Sequence, residues 1–237
     1  MDNCQICDGL NKKQMNDVYK CTVCNHIFRD YKSDGIAYHQ NQFRSTDKDI
    51  KDNKVTKGFH NFRHKLVVGR EKLISKYLNN NQHLLDIGGG AGTFANYIKG
   101  HVASVECTEL DPKLIAECRR LGFTTYDQDM LKIDFKKKYD VVTMWHVVEH
   151  IKDLNQYLEK IKTLTKDLLI IEIPTLKSPL TNKVRRMKSP NPIFDGHYHY
   201  FSMDSLKKLY EKDYDILEIS EDGIQKPCIF MVMRVKN

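Results

Sequence analysis

The sequence predicts an α/β protein built on a mostly parallel sheet, and three observations predict it. Short apolar runs alternate along the chain with segments of helical periodicity. The first run, His83–Ile87, passes directly into Gly88, Gly90 and Gly92, which indicates a tight turn that leads into a helix. A later run, Tyr139–Trp145, is almost wholly apolar, as expected for a central parallel strand that is covered on both faces.

Two further helices have recognisable signals. One is predicted from about His60 to Leu78, where apolar residues recur near one face. In the other, Asp111 is the N-cap, Pro112 the first helical residue and Gly122 the stop. The other predicted strands are Val102–Glu109, one near Phe123–Tyr126, Asp167–Ile173, Asp215–Ser220 and Cys228–Val235. The last two are close enough in sequence to pair as a hairpin, and ligands of such sheets bind at the carboxyl ends of the strands.

The glycine turn carries the most specific signal. A dinucleotide fingerprint, G-x-G-x-x-G, would need glycine at position 93, where the chain has Thr93. The spacing Asp86-x-Gly88-x-Gly90-x-Gly92 instead resembles motif I of the class I S-adenosylmethionine-dependent methyltransferases, and the resemblance runs in order from about residue 60 to the end. It implies a methyltransferase with a Rossmann-like seven-stranded sheet, mostly parallel with a C-terminal antiparallel hairpin.

The resemblance also implies which residues bind the cofactor. Glu109 ends the second strand, and a carboxylate there can accept both hydroxyls of the cofactor ribose. Asp129 accepts from the adenine amino group and Met130 borders the ring, with Asp127 as the alternative in a shifted register. The remaining expected cofactor-binding residues are Asp86, Gly88, Gly90, Gly92, Leu110 and Trp145.

Four cysteines near the N-terminus form two Cys-x-x-Cys pairs, Cys4 with Cys7 and Cys21 with Cys24. Two such pairs can close a tetrahedral zinc site, and a reducing cytosol favours zinc over disulfides. An iron–sulfur or rubredoxin-like iron site remains an alternative, and His26 is expected to be a bystander. Four thiolates leave no open coordination position, so the predicted zinc is structural and its segment shapes the substrate mouth or binds a partner. The predicted domains are a zinc-ribbon-like domain over 1–32, a connector and candidate lid over 33–59, and a methyltransferase domain over 60–237.

The strongest catalytic candidates follow the fourth strand. If a helix starts there, His146, Glu149 and His150 share one of its faces. The string from Trp145 to Ile151 resembles the E-V-I-E-H-(V/I) segment of ubiquinone-biosynthesis O-methyltransferases, some of which bind a divalent ion through the two acids and the histidine. His146 replaces the first acid, which disfavours magnesium. The alternatives are His146 as general base, a catalytic divalent metal at the three residues, which is not favoured, and a structural Glu149–His150 pair.

A long segment after Pro174 is the expected place for acceptor recognition. His197 and His199 alternate and so point to one side of an extended chain. They resemble the H-x-x-x-F-(S/T) segment beside the acceptor site in this methyltransferase branch, which implies a base or a substrate ligand. The segment also holds a basic cluster that either binds a phosphate or carboxylate or is solvated, Lys183, Arg185, Arg186 and Lys188.

Composition is compatible with a cytoplasmic enzyme. The chain of 237 residues has no apolar run long enough to span a membrane, and its start, Met-Asp-Asn-Cys, is unlike a signal peptide. The expected reaction is O-methylation of a small anionic or nucleotide-activated metabolite, one specific candidate being a sugar precursor of a surface glycan. Nucleic acid is the less expected partner, and the sequence leaves the oligomeric state open.

Other functions were weighed against this one. The net charge of +7 and the zinc segment suit an RNA-binding enzyme similar to the ribosomal guanine methyltransferases, which is the second hypothesis. Methyltransferases that act on nucleobase amino groups often carry an N-P-P-Y-like segment after the fourth strand. Val147 and its neighbours replace that segment here, which disfavours N-methylation of adenine or cytosine. Sugar C-methyltransferases also open with cysteine pairs but carry an extra C-terminal domain. A zinc adaptor without activity would need broken cofactor residues, and these are intact.

Overall fold

The computed structural model describes residues 3–15, 18–30, 53–175, 197–221 and 228–236, with backbone only over 53–63. It has an α/β fold with a seven-stranded, mostly parallel sheet that ends in an antiparallel hairpin, and a second sheet of four strands. The fold class predicted from the sequence is confirmed. The chain divides into two compact units, one of residues 1–35 with 135–237 and the other of residues 36–134.

The strands in chain order are β1 Asn11–Met15, β2 Val18–Cys21, β3 Ile27–Arg29, β4 His83–Ile87, β5 Ser104–Thr108, β6 Thr124–Tyr126, β7 Tyr139–Trp145, β8 Thr165–Pro174, β9 His199–Tyr200, β10 Tyr214–Ser220 and β11 Cys228–Val235. The helices are α1 Asn53–Ile74, α2 Thr93–Ile98, α3 Pro112–Arg120, α4 Leu154–Leu164 and α5 Met203–Tyr210, with short 3-10 turns at Ser75–Tyr77 and Val148–His150. Within the ranges given above, none of the helices has the length and apolar character needed to cross a membrane.

In the unit of residues 36–134, β4, β5 and β6 lie side by side in parallel. Leu84, Leu85 and Ile98 are fully buried in its core. Helix α3 begins as predicted, because the Asp111 carboxylate accepts from the Lys113 amide at 2.8 Å. Helix α1 starts at Asn53, ahead of the predicted start near His60. This earlier start takes up the end of the segment that was predicted to be a connector.

The other unit holds the strand order β10-β11-β8-β7. Strand β8 is parallel to β7 and antiparallel to β11, and β10 pairs with β11 as the predicted hairpin. The central strands are buried on both faces; in β8, for example, Leu169, Ile170 and Ile171 have no solvent exposure. This burial explains why the run has no alternation of polar and apolar residues.

The four-stranded sheet has the order β1-β2-β3-β9. Strands β1 to β3 form an antiparallel meander in the N-terminal cysteine segment. Strand β9 adds to its edge through the pairs Ile27 with Tyr200 and Phe28 with His199. The cysteine segment therefore shares a sheet with residues near position 200, a long-range pairing that the sequence did not predict.

Candidate active site

The predicted glycine turn follows β4 and is tied to the end of β5. Gly88, Gly90 and Gly92 have positive φ angles of 72°, 58° and 75°, a region that glycine enters without steric cost. The Gly88 amide donates to Thr108 Oγ1 at 3.2 Å, and Asp86 at the end of β4 is 1% exposed. A Cβ on Gly90 would meet no protein atom within 4 Å. The main chain at Gly90 thus borders open space, where a ligand can approach it closely.

The Glu109 carboxylate lies beside this turn. Its Oε2 accepts from the Gly90 amide at 2.9 Å. Its Oε1 accepts from the Leu110 and Asp111 amides at 2.6 and 2.9 Å. Three main-chain donors thus fix both oxygens in place. The predicted ribose acceptor and the predicted glycine turn are therefore in direct contact.

Asp129 and Met130 follow β6 in the loop where they were expected. Asp129 Oδ1 accepts from the Leu131 amide at 3.0 Å, and Met130 is buried. Asp127, the alternative to Asp129, pairs instead with Arg119 at 3.1 Å, and both of these side chains are about half exposed. A surface ion pair occupies Asp127, which favours Asp129 as the functional carboxylate.

The four predicted metal ligands come together in one cluster. Their Sγ atoms all lie within 4.8 Å of one another. The two shortest separations join Cys4 to Cys24 at 3.7 Å and Cys7 to Cys21 at 3.5 Å. Four sulfurs placed tetrahedrally about 2.3 Å from a zinc ion are ~3.8 Å apart. The cluster therefore has the dimensions of a zinc site.

The chain around the cysteines forms the turns that such a site needs. Asp8 and Asn25, each just after a cysteine pair, have left-handed φ angles of 55° and 59°. The Ile6 amide donates to Cys4 Sγ at 3.4 Å. Burial raises the pKa of the Cys4 thiol to about 11, so a thiolate at this position requires a compensating cation.

The chain after β7 departs from the prediction. Trp145 is buried at the end of the strand, and His146 then adopts a left-handed φ of 59°. Its amide donates to the Glu172 carbonyl at 2.8 Å. A 3-10 turn, Val148–His150, follows, and the next α-helix begins only at Leu154. The predicted α-helix at this point was wrong, because the left-handed residue interrupts the backbone before a helical face can form.

His146 lies between two buried carboxylates. Its Nδ1 is 3.3 Å from Glu149 Oε1 and its Nε2 is 3.4 Å from Glu172 Oε1. The Cys228 thiol lies 3.8 Å from the same Nε2. Burial alone lowers the pKa of His146, but the contacts with Cys228, Glu149 and Glu172 raise that pKa well above its usual value. The ring is therefore an imidazolium at neutral pH, with a carboxylate facing each nitrogen.

Glu149 is the centre of a second group, with His150 and His197. One ligand atom from each of the three residues lies within 4.8 Å of the others. The two imidazole rings meet edge to face with centroids 4.5 Å apart. Burial opposes ionisation of Glu149, but the contact with His146 and the neighbouring histidines lower its pKa to about 2. The group is a buried carboxylate beside two imidazoles, and it could also hold a metal ion.

His199 lies in different surroundings from His197. It is 2% exposed, and its Nδ1 is 3.1 Å from Nε2 of His26. The two rings stack with centroids 5.1 Å apart. Burial lowers the pKa of His199 to about 4, so the ring is neutral at physiological pH. His199 thus contacts the cysteine segment through His26, whereas His197 lies in the Glu149 group.

Three residues at these sites were not found by sequence reasoning. Glu172 had a weak signal, since it is the one acid within the apolar run of β8. Cys228 was predicted only as the first residue of a strand, and His26 as a bystander. Their contacts join segments far apart in sequence, which periodicity cannot detect. The basic cluster at positions 183–188 lies outside the described residues.

Comparison with known proteins agrees with this geometry. The family described as "Methyltransferase domain" matches residues 59–214, which is more than half of the chain. No curated protein matches.

Solved structures show the same fold. Magnesium protoporphyrin IX methyltransferase from Synechocystis, with bound SAH, has a TM-score of 0.63 and 16% identity over 84% of this chain and 99% of that one. The N-methyltransferase NodS from Bradyrhizobium japonicum has a TM-score of 0.55 and 17% identity over 74% and 97%. A SAM-dependent methyltransferase from Clostridium acetobutylicum has a TM-score of 0.55 and 13% identity over 73% and 92%. With the family match and the glycine turn held by Glu109, the chain belongs to the methyltransferase-domain family and is an S-adenosylmethionine-dependent methyltransferase.

Proposed function

We propose that this enzyme methylates a hydroxyl oxygen of a small anionic or nucleotide-activated metabolite, such as a sugar precursor of a surface glycan, in the cytoplasm. The observation that carries the proposal is the buried Glu149 carboxylate beside His150 and His197. A hydroxyl loses its proton when its oxygen takes a methyl group, so a carboxylate-backed imidazole suits that acceptor. The seven cysteines are free thiols, which suits a reducing compartment.

On the cofactor side, the glycine turn allows the cofactor to lie close to the backbone, and the Glu109 carboxylate accepts hydrogen bonds from the ribose hydroxyls. At the adenine, Asp129 accepts from the amino group and the buried Met130 borders the ring. Asp86, Leu110 and Trp145 are proposed as further cofactor-binding residues. When bound, S-adenosylmethionine supplies an electrophilic methyl group, and the acceptor oxygen attacks it in line with the departing sulfur.

We assign the proton acceptor to His197 rather than to His146. Both ring nitrogens of His146 already face carboxylates, and its raised pKa keeps it charged. An imidazolium cannot accept another proton. His197 is only partly buried, and one of its ring nitrogens lies within 4.8 Å of the Glu149 carboxylate. His199 is the less suitable base because it is buried against His26.

A catalytic metal at Glu149, His150 and His197 is the alternative use of the same group. One carboxylate and two imidazoles suit a transition metal better than magnesium. The proton-transfer role is favoured because His146 already balances the Glu149 charge. Metal analysis separates the two: one zinc per chain that is absent from Cys21→Ser supports the base, whereas a second ion retained in that variant supports the metal.

The four cysteines are proposed to hold one structural zinc ion. Their sulfur separations of 3.5 and 3.7 Å match a tetrahedral thiolate site, and no position is left for a substrate.

The acceptor is proposed to be anionic because a lysine follows the Glu149 group in the chain and the protein as a whole is basic. Lys152 lies two residues after His150, and its ammonium group is 6.0 Å from the centroid of the Tyr198 ring. The net charge of the chain is +7, so a negatively charged metabolite is attracted to it.

The test is transfer of labelled methyl groups from S-adenosylmethionine into a fractionated metabolite extract. His197→Gln is expected to lower the rate by about a hundredfold or more, the usual contribution of a general base. His83→Gln is the matched control, since His83 is exposed on β4 and its Nδ1 lies 2.7 Å from Ser104 Oγ, within the unit of residues 36–134. Equal rates in both variants would refute the role of His197.

The same assay tests the second hypothesis, methylation of ribosomal RNA. That hypothesis needs aromatic platforms on the cysteine segment, but Phe28 is buried and stacks on Tyr19 with centroids 5.1 Å apart. Salt-dependent retention on ribosomal RNA with methyl incorporation into it would favour the RNA enzyme. Incorporation into a small acidic metabolite supports the proposal.

A further inference from the structure

Three sets of contacts join the N-terminal ribbon, defined as residues 3–15 and 18–30, to the segments that carry the acceptor-site side chains. The first involves Gln5, which lies between Cys4 and Cys7. Its Oε1 accepts from the Leu154 amide at 2.9 Å, and its Nε2 donates to the Lys152 carbonyl at 3.5 Å. The first cysteine turn is thus bonded to the chain just after His150.

The second set passes through the main chain of Tyr198. The Arg29 amide of β3 donates to the Tyr198 carbonyl at 2.8 Å, and the Tyr198 amide donates to the Glu149 carbonyl at 2.8 Å. One residue therefore connects the ribbon to the turn that carries Glu149. Since His197 directly precedes Tyr198, its backbone is fixed by the same two bonds.

The third set passes through His26, which is 1% exposed. Its Nδ1 lies 3.8 Å from Cys4 Sγ, and its Nε2 lies 3.1 Å from His199 Nδ1. The ring also stacks on Phe201 with centroids 5.2 Å apart. A side chain in contact with the cysteine cluster is therefore packed against the residues that follow His197.

We infer that the metal-loaded ribbon sets the position of His197 against Glu149, and that Gln5 and His26 are positioning residues for the acceptor site. This inference rests on the proposed function of His197. A segment this small buries little apolar surface, so the metal supplies much of its folding free energy. When the metal leaves, the contacts of Gln5 and His26 lose their fixed positions, and the bond from the Arg29 amide to the Tyr198 carbonyl is lost with them. A displacement of about 1 Å at a reacting group costs roughly a hundredfold in rate.

The test follows His197 directly, without the acceptor. In protein labelled with carbon-13 at histidine, the ring signal of His197 is assigned from its loss in His197→Gln. We expect Gln5→Leu and His26→Phe to move this signal while the zinc content stays at one ion per chain. Exchange of the Tyr198 amide is expected to be about fivefold faster in Gln5→Leu, as loss of a bond worth ~1 kcal/mol implies.

Two comparisons make the result specific. Gln14→Leu is the matched control, because Gln14 lies in the same ribbon, is exposed and donates to the Lys12 carbonyl at 3.1 Å. This variant should leave the His197 signal unchanged. Gln5→Glu retains an oxygen that accepts from the Leu154 amide but loses the donor to the Lys152 carbonyl, so it should shift the His197 signal less than Gln5→Leu does. A loss of ribbon packing unrelated to positioning would not be rescued in this way.

Zinc removal from the wild-type protein is a second measurement that needs no variant. Chelation is expected to shift the His197 signal and to leave calorimetric binding of S-adenosylmethionine intact. A His197 signal that stays unchanged after chelation, or in both Gln5→Leu and His26→Phe, overturns the inference. Loss of S-adenosylmethionine binding by the untreated protein would instead overturn the proposed function, so the two failures are distinguishable.

Discussion

Replacing Glu109 with Gln is expected to weaken binding of S-adenosylmethionine by roughly ten- to hundredfold. Glu109 Oε2 holds the Gly90 amide at 2.9 Å, while Oε1 holds the Leu110 and Asp111 amides. A glutamine has one oxygen, so its NH₂ group must face at least one of these N–H donors. A hydrogen bond to a charged group is worth ~1.5–3 kcal/mol, and 1.4 kcal/mol corresponds to about tenfold in affinity.

The assay is isothermal calorimetry with S-adenosylmethionine at a temperature where both proteins are folded. Glu106→Gln is the matched control, because it makes the same change within β5, three residues before Glu109. The Oε2 atom of Glu106 accepts from the Tyr126 hydroxyl at 2.8 Å, which a glutamine oxygen can also do. The control should bind with wild-type affinity. Wild-type affinity in Glu109→Gln would refute the ribose role, and equal losses in both variants would point to a general effect of charge.

Two further predictions concern stability. The pKa of His199 is about 4 when folded and 6.5 when exposed, so the unfolded chain binds more protons between these values and stability falls as pH drops through that window. This shift alone should lower the free energy of unfolding by about 2 kcal/mol between pH 7 and pH 5, as measured by denaturant titration. The decrease should be correspondingly smaller in His199→Phe. Equal decreases in the two proteins would contradict the burial of a neutral His199 ring. Gly92→Ala is expected to cost about 1–3 kcal/mol, because Gly92 has a φ of 75° and a Cβ there would lie 2.9 Å from Cys118 Sγ. Gly100→Ala is the control, since a Cβ at Gly100 meets nothing within 4 Å, and an equal cost in both would argue against the close packing.

The sequence predicted the main sheet well because its signals are local. Strand β7 has the predicted limits, Tyr139–Trp145, and the Asp111 cap of α3 is present. Ser202 and Ser205 form a capping box at the start of α5, which is also a local feature of the sequence. Each of these signals lies within about ten residues of the feature that it determines.

The acceptor side was predicted less well because its geometry is set by long-range contacts. The left-handed φ of His146 has no sequence signal, since such a conformation is uncommon for any residue with a Cβ. The contact of Glu149 with His197 depends on how the chain returns after a long segment. The contacts of the cysteine segment and of His26 with the acceptor side depend on the pairing of β3 with β9. No local sequence pattern indicates that pairing.

The pairing of β3 with β9 has a consequence for synthesis of the protein. Strand β3 is complete once residue 29 has left the ribosome, but its partner, His199–Tyr200, emerges about 170 residues later. At a translation speed of ~5–20 residues per second, this edge stays open for roughly ten seconds or more. An open edge strand can pair with other chains, so the nascent polypeptide is most exposed to misassembly during that interval. Binding of the metal early in synthesis would reduce the number of conformations that the cysteine segment can adopt.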